Sequence, residues 1–512
     1  MRPLAWHALL LASYPVLFLF SVNADQVPVG QVVAPLGLAM GAAALLTAIG
    51  TLLLRDHRRA ALAVSALVLL VFSFGHVLRL LQDLASGVFW RPVLLVVWGL
   101  VAALVLFLAA RARERLPRLT RLLNRAALIL VATSLLVLGL ERGAGLVASG
   151  TAAAAANQGP SAARAQQRDI FYLVFDRYGG QPALEEQYGI DNRPFLRWLE
   201  DQGFYVASQS HANYQKTNHS LASSLNFTYL DELSERVGSG SDDWLPVIRA
   251  LQNPAAARFL QEQGYRFVHV GSWWGPTQTM PSADANLSYG SRSEFSSVLY
   301  HSTVLPTLIE ALGGETELDD WELHYQAARH QFEQLEKLAA QQGGPPTFVV
   351  AHVLLPHPPY VFDAEGDFVG RQEGGSSFAE QLEYLNGQIK ELVELLLAGP
   401  EAKDPIVILQ ADEGPFPDRY ASDVEHFDWR AATDRELLVK TSILNAYYLP
   451  GPDKGLWPTI SPVNSFRVVF NRYFGTDLAV LPDRTFVFID EQHLYDFVDV
   501  TERLSRAAAA AG

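Results

Sequence analysis

The sequence predicts an N-terminal five-helix transmembrane bundle followed by an α/β domain with a mainly parallel sheet. Three observations carry that reading. Apolar runs crowd the first 150 residues, short all-apolar segments alternate with helical ones after residue 168, and the charge changes sign between the two parts. Residues 1–125 hold 12 basic and 4 acidic side chains, net +8; the remainder holds 27 and 50, net −23, which sums to the −15 of the whole chain.

The apolar runs cover roughly 5–22, 32–54, 60–78, 89–110 and 126–148. Each is near the ~20 residues a helix needs to cross the hydrocarbon core, and a signal peptide would not recur five times. The connection "RDHRR" (55–59) carries three arginines and "RARERLPRLTRLLNR" (111–125) six, whereas the loop around 23–31 has none. Arginine-rich connections stay in the cytoplasm, so the chain beyond residue 150 is expected outside it, on a multi-pass membrane protein. Residues 151–168, small and polar with a Gly-Pro pair, read as a linker. The acidic balance beyond it excludes a nucleic-acid-binding surface, which runs on clustered Lys and Arg. With no cysteine anywhere, disulfides, thiolate nucleophiles and cysteine zinc sites are excluded.

From 169 to 490 the pattern is that of a single extracytoplasmic domain. "DIFYLVFD" (169–176), "FYVASQS" (204–210), "RFVHVGS" (266–272), "TFVVAHVLL" (347–355), "PIVILQAD" (405–412), "SILNAYYLP" (442–450) and "TFVFID" (485–490) read as strands. Helical stretches lie at about 192–203, 318–342, 377–398 and 462–474. Strands apolar throughout belong to a sheet covered on both faces. Residues 491–512, ending in "SRAAAAAAG", read as a C-terminal tail.

Open α/β sheets bind ligands at the carboxyl ends of their strands, and four strands here end in polar residues: Asp176, His269, the segment His352 to His357, and the pair Asp412-Glu413. Asp after a strand is commonly a turn or cap residue, and a lone His beside a strand is commonly structural. Two adjacent carboxylates closing an apolar strand are different, because they repel each other unless a cation meets them. A divalent metal satisfies them best. Thr217 sits at or near the start of a helix, where backbone N–H groups favour a developing alkoxide; as a bare N-cap it would do nothing more. A metal nearby converts its hydroxyl into a usable nucleophile. Asp176, Thr217, Asp412 and Glu413 form an all-oxygen set, which favours Mn²⁺ or Mg²⁺ over Zn²⁺. His357, flanked by Pro356, Pro358 and Pro359, His352 and Lys216 are the candidate substrate-binding residues. Trp273-Trp274 and "PHPPY" are apolar enough to line a sugar or lipid cleft, although paired aromatics are more often core.

In this order the motifs resemble the alkaline phosphatase/sulfatase superfamily, and the spans ahead of the domain resemble its membrane-bound branch, which includes lipoteichoic acid synthases and phosphoethanolamine transferases. "DIFYLVFDRYGG", "SLASSLN", "LLPHPPYVFDAEG" and "ILNAYYLPG" carry the resemblance over most of 169–490. It implies an alkaline phosphatase-like domain in which Asp176 is the first-strand metal ligand and Thr217 the nucleophile. Asp412 then matches the Asp of the family's Asp-His-Gly ligand pair, and His357 a histidine on the substrate or a second metal. This chain departs by placing Glu413 where the family has His, and His426, close downstream, is a candidate to compensate. It also lacks the Cys/Ser-X-Pro-X-Arg motif of formylglycine sulfatases. The resemblance therefore implies phosphoryl or phospho-alcohol transfer or hydrolysis on a lipid or cell-envelope glycan. A catalytically degenerate relative that only binds such a ligand and a sulfuric ester hydrolase are the alternatives.

Overall fold

The computed structural model describes residues 4–24, 27, 29–84, 90–112, 116–146, 168–290, 294–312, 320–341, 343–370, 377–398, 404–452 and 455–511. The linker expected at 151–168 lies, except for Arg168, outside the described residues. The chain divides into two units, residues 1–150 with 292–319, and residues 151–291 with 320–512.

The first unit contains α1 (His7–Ser21), α2 (Val29–Leu54), α3 (His57–Leu84), α4 (Trp90–Arg111) and α5 (Leu116–Leu146). Four of these, α2 to α5, are long and apolar enough to cross a membrane. The first expected span forms a helix of only 15 residues, short of a full crossing. It packs through small residues, with Ala8 and Ala12 against Ala43 of α2 and Ala61 and Val64 of α3. Asn124 of α5 fixes its start, accepting from the His7 N–H at 3.0 Å and donating to the Leu4 carbonyl at 2.8 Å. The start of α1 therefore lies beside the arginine-rich beginning of α5. Exposed Leu38, Leu45 and Leu52 on α2 and Val96, Leu100 and Leu104 on α4 form apolar faces suited to lipid. The helices Glu294–His301 and Leu305–Ala311, far away in sequence, belong to this unit: the Gly75 N–H donates to the Ser302 carbonyl at 3.0 Å and the Val304 N–H to the Val71 carbonyl at 3.0 Å.

Among the described residues the second unit is built on nine strands: β1 (Ile170–Phe175), β2 (Tyr205–Val206), β3 (Arg266–Val270), β4 (Ala285–Asn286), β5 (Thr347–Val353), β6 (Ile406–Gln410), β7 (Asn445–Tyr448), β8 (Phe486–Phe488) and β9 (Phe497–Asp499). Seven form one sheet in the order β2-β7-β6-β1-β5-β3-β4. Its centre is parallel, as expected, from β6 through β1, β5 and β3 to β4. The edge is not: β7 runs antiparallel to both β6 and β2, so the sheet is mixed. The "TFVFID" run also leaves the main sheet, because β8 pairs with β9 in a separate antiparallel ribbon. β9 and the helix Thr501–Ala511 fall within the stretch read as a tail, and Leu504 is buried there against Tyr420 and Trp429.

The apolar runs are explained by burial on both faces. In β1, Phe171, Leu173 and Phe175 face one core layer with the helices Asp320–Ala340 and Phe378–Leu397. Ile170, Tyr172 and Val174 face another, with the helices Thr217–Asn226 and Ser465–Phe474. Successive strand residues point to opposite faces, so a strand covered twice cannot show polar alternation. Tyr172 pins the second layer, its hydroxyl at 2.9 Å from the Ser224 hydroxyl and accepting from the Gln410 amide at 2.8 Å.

Candidate active site

Three adjacent strands set the site. In the parallel register Val174 of β1 stands beside Gln410 of β6 and His352 of β5. Two residues further along, on the same face by alternation, come Asp176 and Asp412. The consequence is a cluster in which one ligand atom each of Asp176, His352 and Asp412 lies within 4.8 Å of the others, all three side chains being buried.

Thr217 completes the geometry from the covering helix. It is the first residue of Thr217–Asn226, and the N-cap position belongs to Lys216, whose side chain does not cap. Thr217 is therefore not spent on capping, and its hydroxyl is near enough to Asp412 to favour the ionised carboxylate. Asp412 Oδ1 accepts the Arg177 backbone N–H at 3.1 Å.

Glu413 adjoins the cluster in sequence but turns elsewhere. Its Oε1 lies 2.8 Å from Lys440 Nζ and 3.3 Å from Arg177 Nε. Lys440, on the helix Asp434–Thr441, is wholly buried over the Phe416 ring. Burial pulls its ammonium below the ordinary value, and the Glu413 carboxylate opposes that fall. Gly414 permits the approach: its N–H donates to the Lys440 carbonyl at 2.8 Å, and a Cβ there would fall 2.1 Å from the Val439 carbonyl oxygen. The Asp-Glu-Gly-Pro turn at the end of β6 is thus met by a lysine from a helix about 30 residues downstream.

The remaining expected residues sit around this core. Lys216 pairs with Glu491 at 2.9 Å; burial works against its charge, but Tyr420, Glu491 and Glu413 hold it above the ordinary value. His357 lines a small cavity with Trp273, His324, Gln331, Leu355 and Val361, and burial followed by the Arg177 charge keeps its imidazole well below the usual range. His269 is structural, its Nε2 held at 2.8 Å by the Thr277 carbonyl. His426 is exposed and pairs with Asp423, so it does not stand in for Glu413 within the buried cluster.

The donor set fits a divalent cation. Asp176 Oδ1, Asp412 Oδ2 and His352 Nε2 are buried without a hydrogen-bond partner among the described residues. His352 Nδ1 is held at 2.9 Å by the Thr277 hydroxyl, itself 2.8 Å from Ser272. Burial, then His269, pulls His352 down to about 3, so the ring is neutral. In the tautomer whose Nδ1 donates to Thr277, the Nε2 lone pair faces Asp176 Oδ2 at 3.7 Å. Two carboxylates and an imidazole lone pair converging in a buried space repel one another unless a cation lies between them. Burial and the neighbouring acids show the same strain: Asp412 is pushed up to about 7, by burial first and Glu413 second, and Asp176 is raised by burial and by Asp412. Three carboxylates, Asp176, Asp412 and Glu413, meet two cations, Arg177 and Lys440; the sum is −1, and a divalent ion takes it to +1.

Residues 168–446, more than half of the chain, match the family model described as Sulfatase. The chain belongs to the sulfatase family. Members of this family and of the alkaline phosphatase superfamily around it are typically metal-dependent hydrolases or transferases. Among solved structures, this sulfatase-family chain is similar to the C-terminal periplasmic domain of EcEptC from Escherichia coli in complex with Zn, at 11% identity and a TM-score of 0.43, covering 67% of this chain and 95% of that one. A protein in the alkaline phosphatase superfamily from Vibrio parahaemolyticus matches at 15% identity and a TM-score of 0.37, over 65% and 75% of the two chains. A 2-O GAG sulfatase matches at 14% and 0.38, over 61% and 72%. A comparison with curated proteins finds no match. Membership in the family rests on the sequence match.

Sequence reasoning missed Arg177 and Lys440 and assigned His352 to substrate. A signal for Arg177 was available, since it directly follows the acid closing β1. For His352 the signal was its place inside β5, one residue before the strand ends at Val353.

Proposed function

We propose that this domain is an outward-facing, membrane-anchored enzyme that transfers or hydrolyses phosphate esters or phospholipid head groups through Thr217. The observation that carries it is Thr217, first in a helix and near Asp412, whose carboxylate shares a buried cluster with Asp176 and His352 in which one atom of each lacks a hydrogen bond. Asp176, His352 and Asp412 would hold one divalent cation, which supplies positive charge for the transferred group and lowers the pKa of a hydroxyl beside it. The expected oxygen-only shell favoured Mn²⁺ or Mg²⁺; an imidazole in the set removes the objection to Zn²⁺.

The chain's own groups divide the remaining tasks. Thr217 Oγ attacks phosphorus as the bond to the leaving alcohol breaks, and the Thr217 proton faces the Asp412 carboxylate. The N-terminus of the Thr217–Asn226 helix favours the developing negative charge. Water or a second alcohol then attacks phosphorus and releases Thr217. Lys440 and Arg177 hold Glu413, so the third carboxylate does not add an uncompensated charge. Four apolar helices, or five if α1 is also inserted, support a lipid or envelope-glycan substrate. The arginine-rich connections α2–α3 and α4–α5 lie at one end of alternating spans, which favours an extracytoplasmic domain at a bacterial inner membrane whether or not α1 crosses.

A chromogenic phosphodiester tests this with the full-length protein. Activity that requires added divalent metal and disappears in Thr217→Ala supports it; full activity in Thr217→Ala refutes it. A second reading, a catalytically degenerate binder of an envelope lipid or glycan, is favoured by the Lys440–Glu413–Arg177 group, which offsets carboxylate charge without a metal. Sulfuric ester hydrolysis ranks third, since Thr217 stands where the formylglycine enzymes need an oxidisable side chain.

A further inference from the structure

We propose that Arg177 is the oxyanion clamp of this site, its two Nη nitrogens receiving the non-bridging oxygens of the tetrahedral group that Thr217 attacks; the assignment rests on the Thr217 reading above. Arg177 has φ +61, a left-handed conformation that strains a non-glycine residue and collects at functional sites. That conformation is fixed by its own N–H, which donates to Asp412 Oδ1 at 3.1 Å. Arg177 and Thr217 therefore flank the same carboxylate.

The guanidinium is built into place on two further sides. Its Nε lies 3.3 Å from Glu413 Oε1, and its Cζ sits 3.3 Å above the centre of the Phe416 ring. Among the described residues neither Nη nitrogen makes a hydrogen bond, and the side chain is 15% exposed. A planar fork held at its stem, with both tips free of hydrogen bonds among the described residues, matches the paired oxygens of a phosphate or sulfate group. Its charge reaches His357, Tyr188 and Tyr360. The plainer role, neutralising Glu413, does not need Arg177, because Lys440 is already closer to the same oxygen at 2.8 Å.

The test uses the full-length protein in detergent, with inorganic phosphate and inorganic sulfate as probes in titration calorimetry and bound metal measured on each preparation. Wild type binds at least one of the two anions. Arg177→Gln weakens that binding by about tenfold or more, and Arg177→Lys, which keeps the charge and the pair with Glu413, weakens it by several-fold, both with unchanged metal content. In Arg177→Gln the Glu413 carboxylate keeps Lys440 at 2.8 Å, so no carboxylate there is left without a cation, and an unchanged melting temperature separates the clamp from a folding defect. Anion affinity equal to wild type in both Arg177→Gln and Arg177→Lys overturns the proposal, as does a wild type that binds neither anion. Arg177-dependent anion binding by a protein without metal upholds the clamp and refutes the metal site, so the two failures are distinguishable.

Discussion

Replacing Lys440 by Met tests how the carboxylate pair at the end of β6 is tolerated. Lys440 is wholly buried and 2.8 Å from Glu413 Oε1. Deleting one partner of a buried ion pair costs about 3–5 kcal/mol, because the other charge stays buried. Glu413 keeps Arg177 Nε at 3.3 Å, which places the loss at the low end, about 3 kcal/mol. Met retains the volume over Phe416, so little of the cost is cavity. For a domain of this size the loss corresponds to a fall of roughly 6 °C in melting temperature. Thermal unfolding of the full-length protein in one detergent at one scan rate measures it. The decisive comparison is Lys440→Met/Glu413→Gln, in which neither partner is left charged; it should recover at least half of the loss. A single variant within about 1 kcal/mol of wild type, or a double variant no better than the single, refutes the claim that Lys440 is what meets Glu413.

Two further outcomes follow from the cluster. Thr277→Val removes the hydroxyl 2.9 Å from His352 Nδ1 and should weaken divalent-metal affinity by about 10- to 100-fold, read by competition with a chelating dye; an unchanged affinity would show that Thr277 does not orient the ring. Metal binding should also depend on pH through Asp412. Its carboxyl is pushed up to about 7, so below pH 7 the metal-free protein holds a proton that the metal must expel, and apparent affinity falls about tenfold per pH unit. The same shift has a defined sign for stability: the metal-free folded state binds the extra proton, so this group's contribution is full below its ordinary value of 3.8 and is lost as pH rises through about 7. Calorimetry in buffers of different ionisation enthalpy counts the released protons; none released at pH 6 contradicts the raised carboxyl.

The parts of the fold that were legible in the sequence are those where burial dictates composition. β1, β5 and β6 are covered on both faces and read as unbroken apolar runs, and their polar carboxyl ends located Asp176, His352 and Asp412. What stayed hidden was decided by pairing across distance. β4 is two residues, too short to leave a pattern, β2 keeps only two residues of the run read at 204–210, and the antiparallel direction of β7 is set by its neighbours, since its sequence would serve equally in a parallel strand. The strand β9 was available as the alternation in "YDFVDV" but was lost in a stretch taken for a tail. Glu413 sits beside Asp412 in the chain, and only the helix that brings Lys440 to it shows that its charge is met by protein and not by the Asp176 cluster. Nothing local to the helices Glu294–His301 and Leu305–Ala311 distinguishes them from the second unit's helices, yet their contacts lie with α1 to α4.

Metal analysis of the full-length protein after exposure to Mn²⁺, Mg²⁺ and Zn²⁺ and removal of excess tests the central claim most directly, comparing wild type with Asp412→Ala and with His352→Phe. About one divalent ion per chain in wild type, lost in both variants, is the result expected of a site built from Asp176, His352 and Asp412. Metal retained in both variants, or none taken up by the wild type, contradicts it.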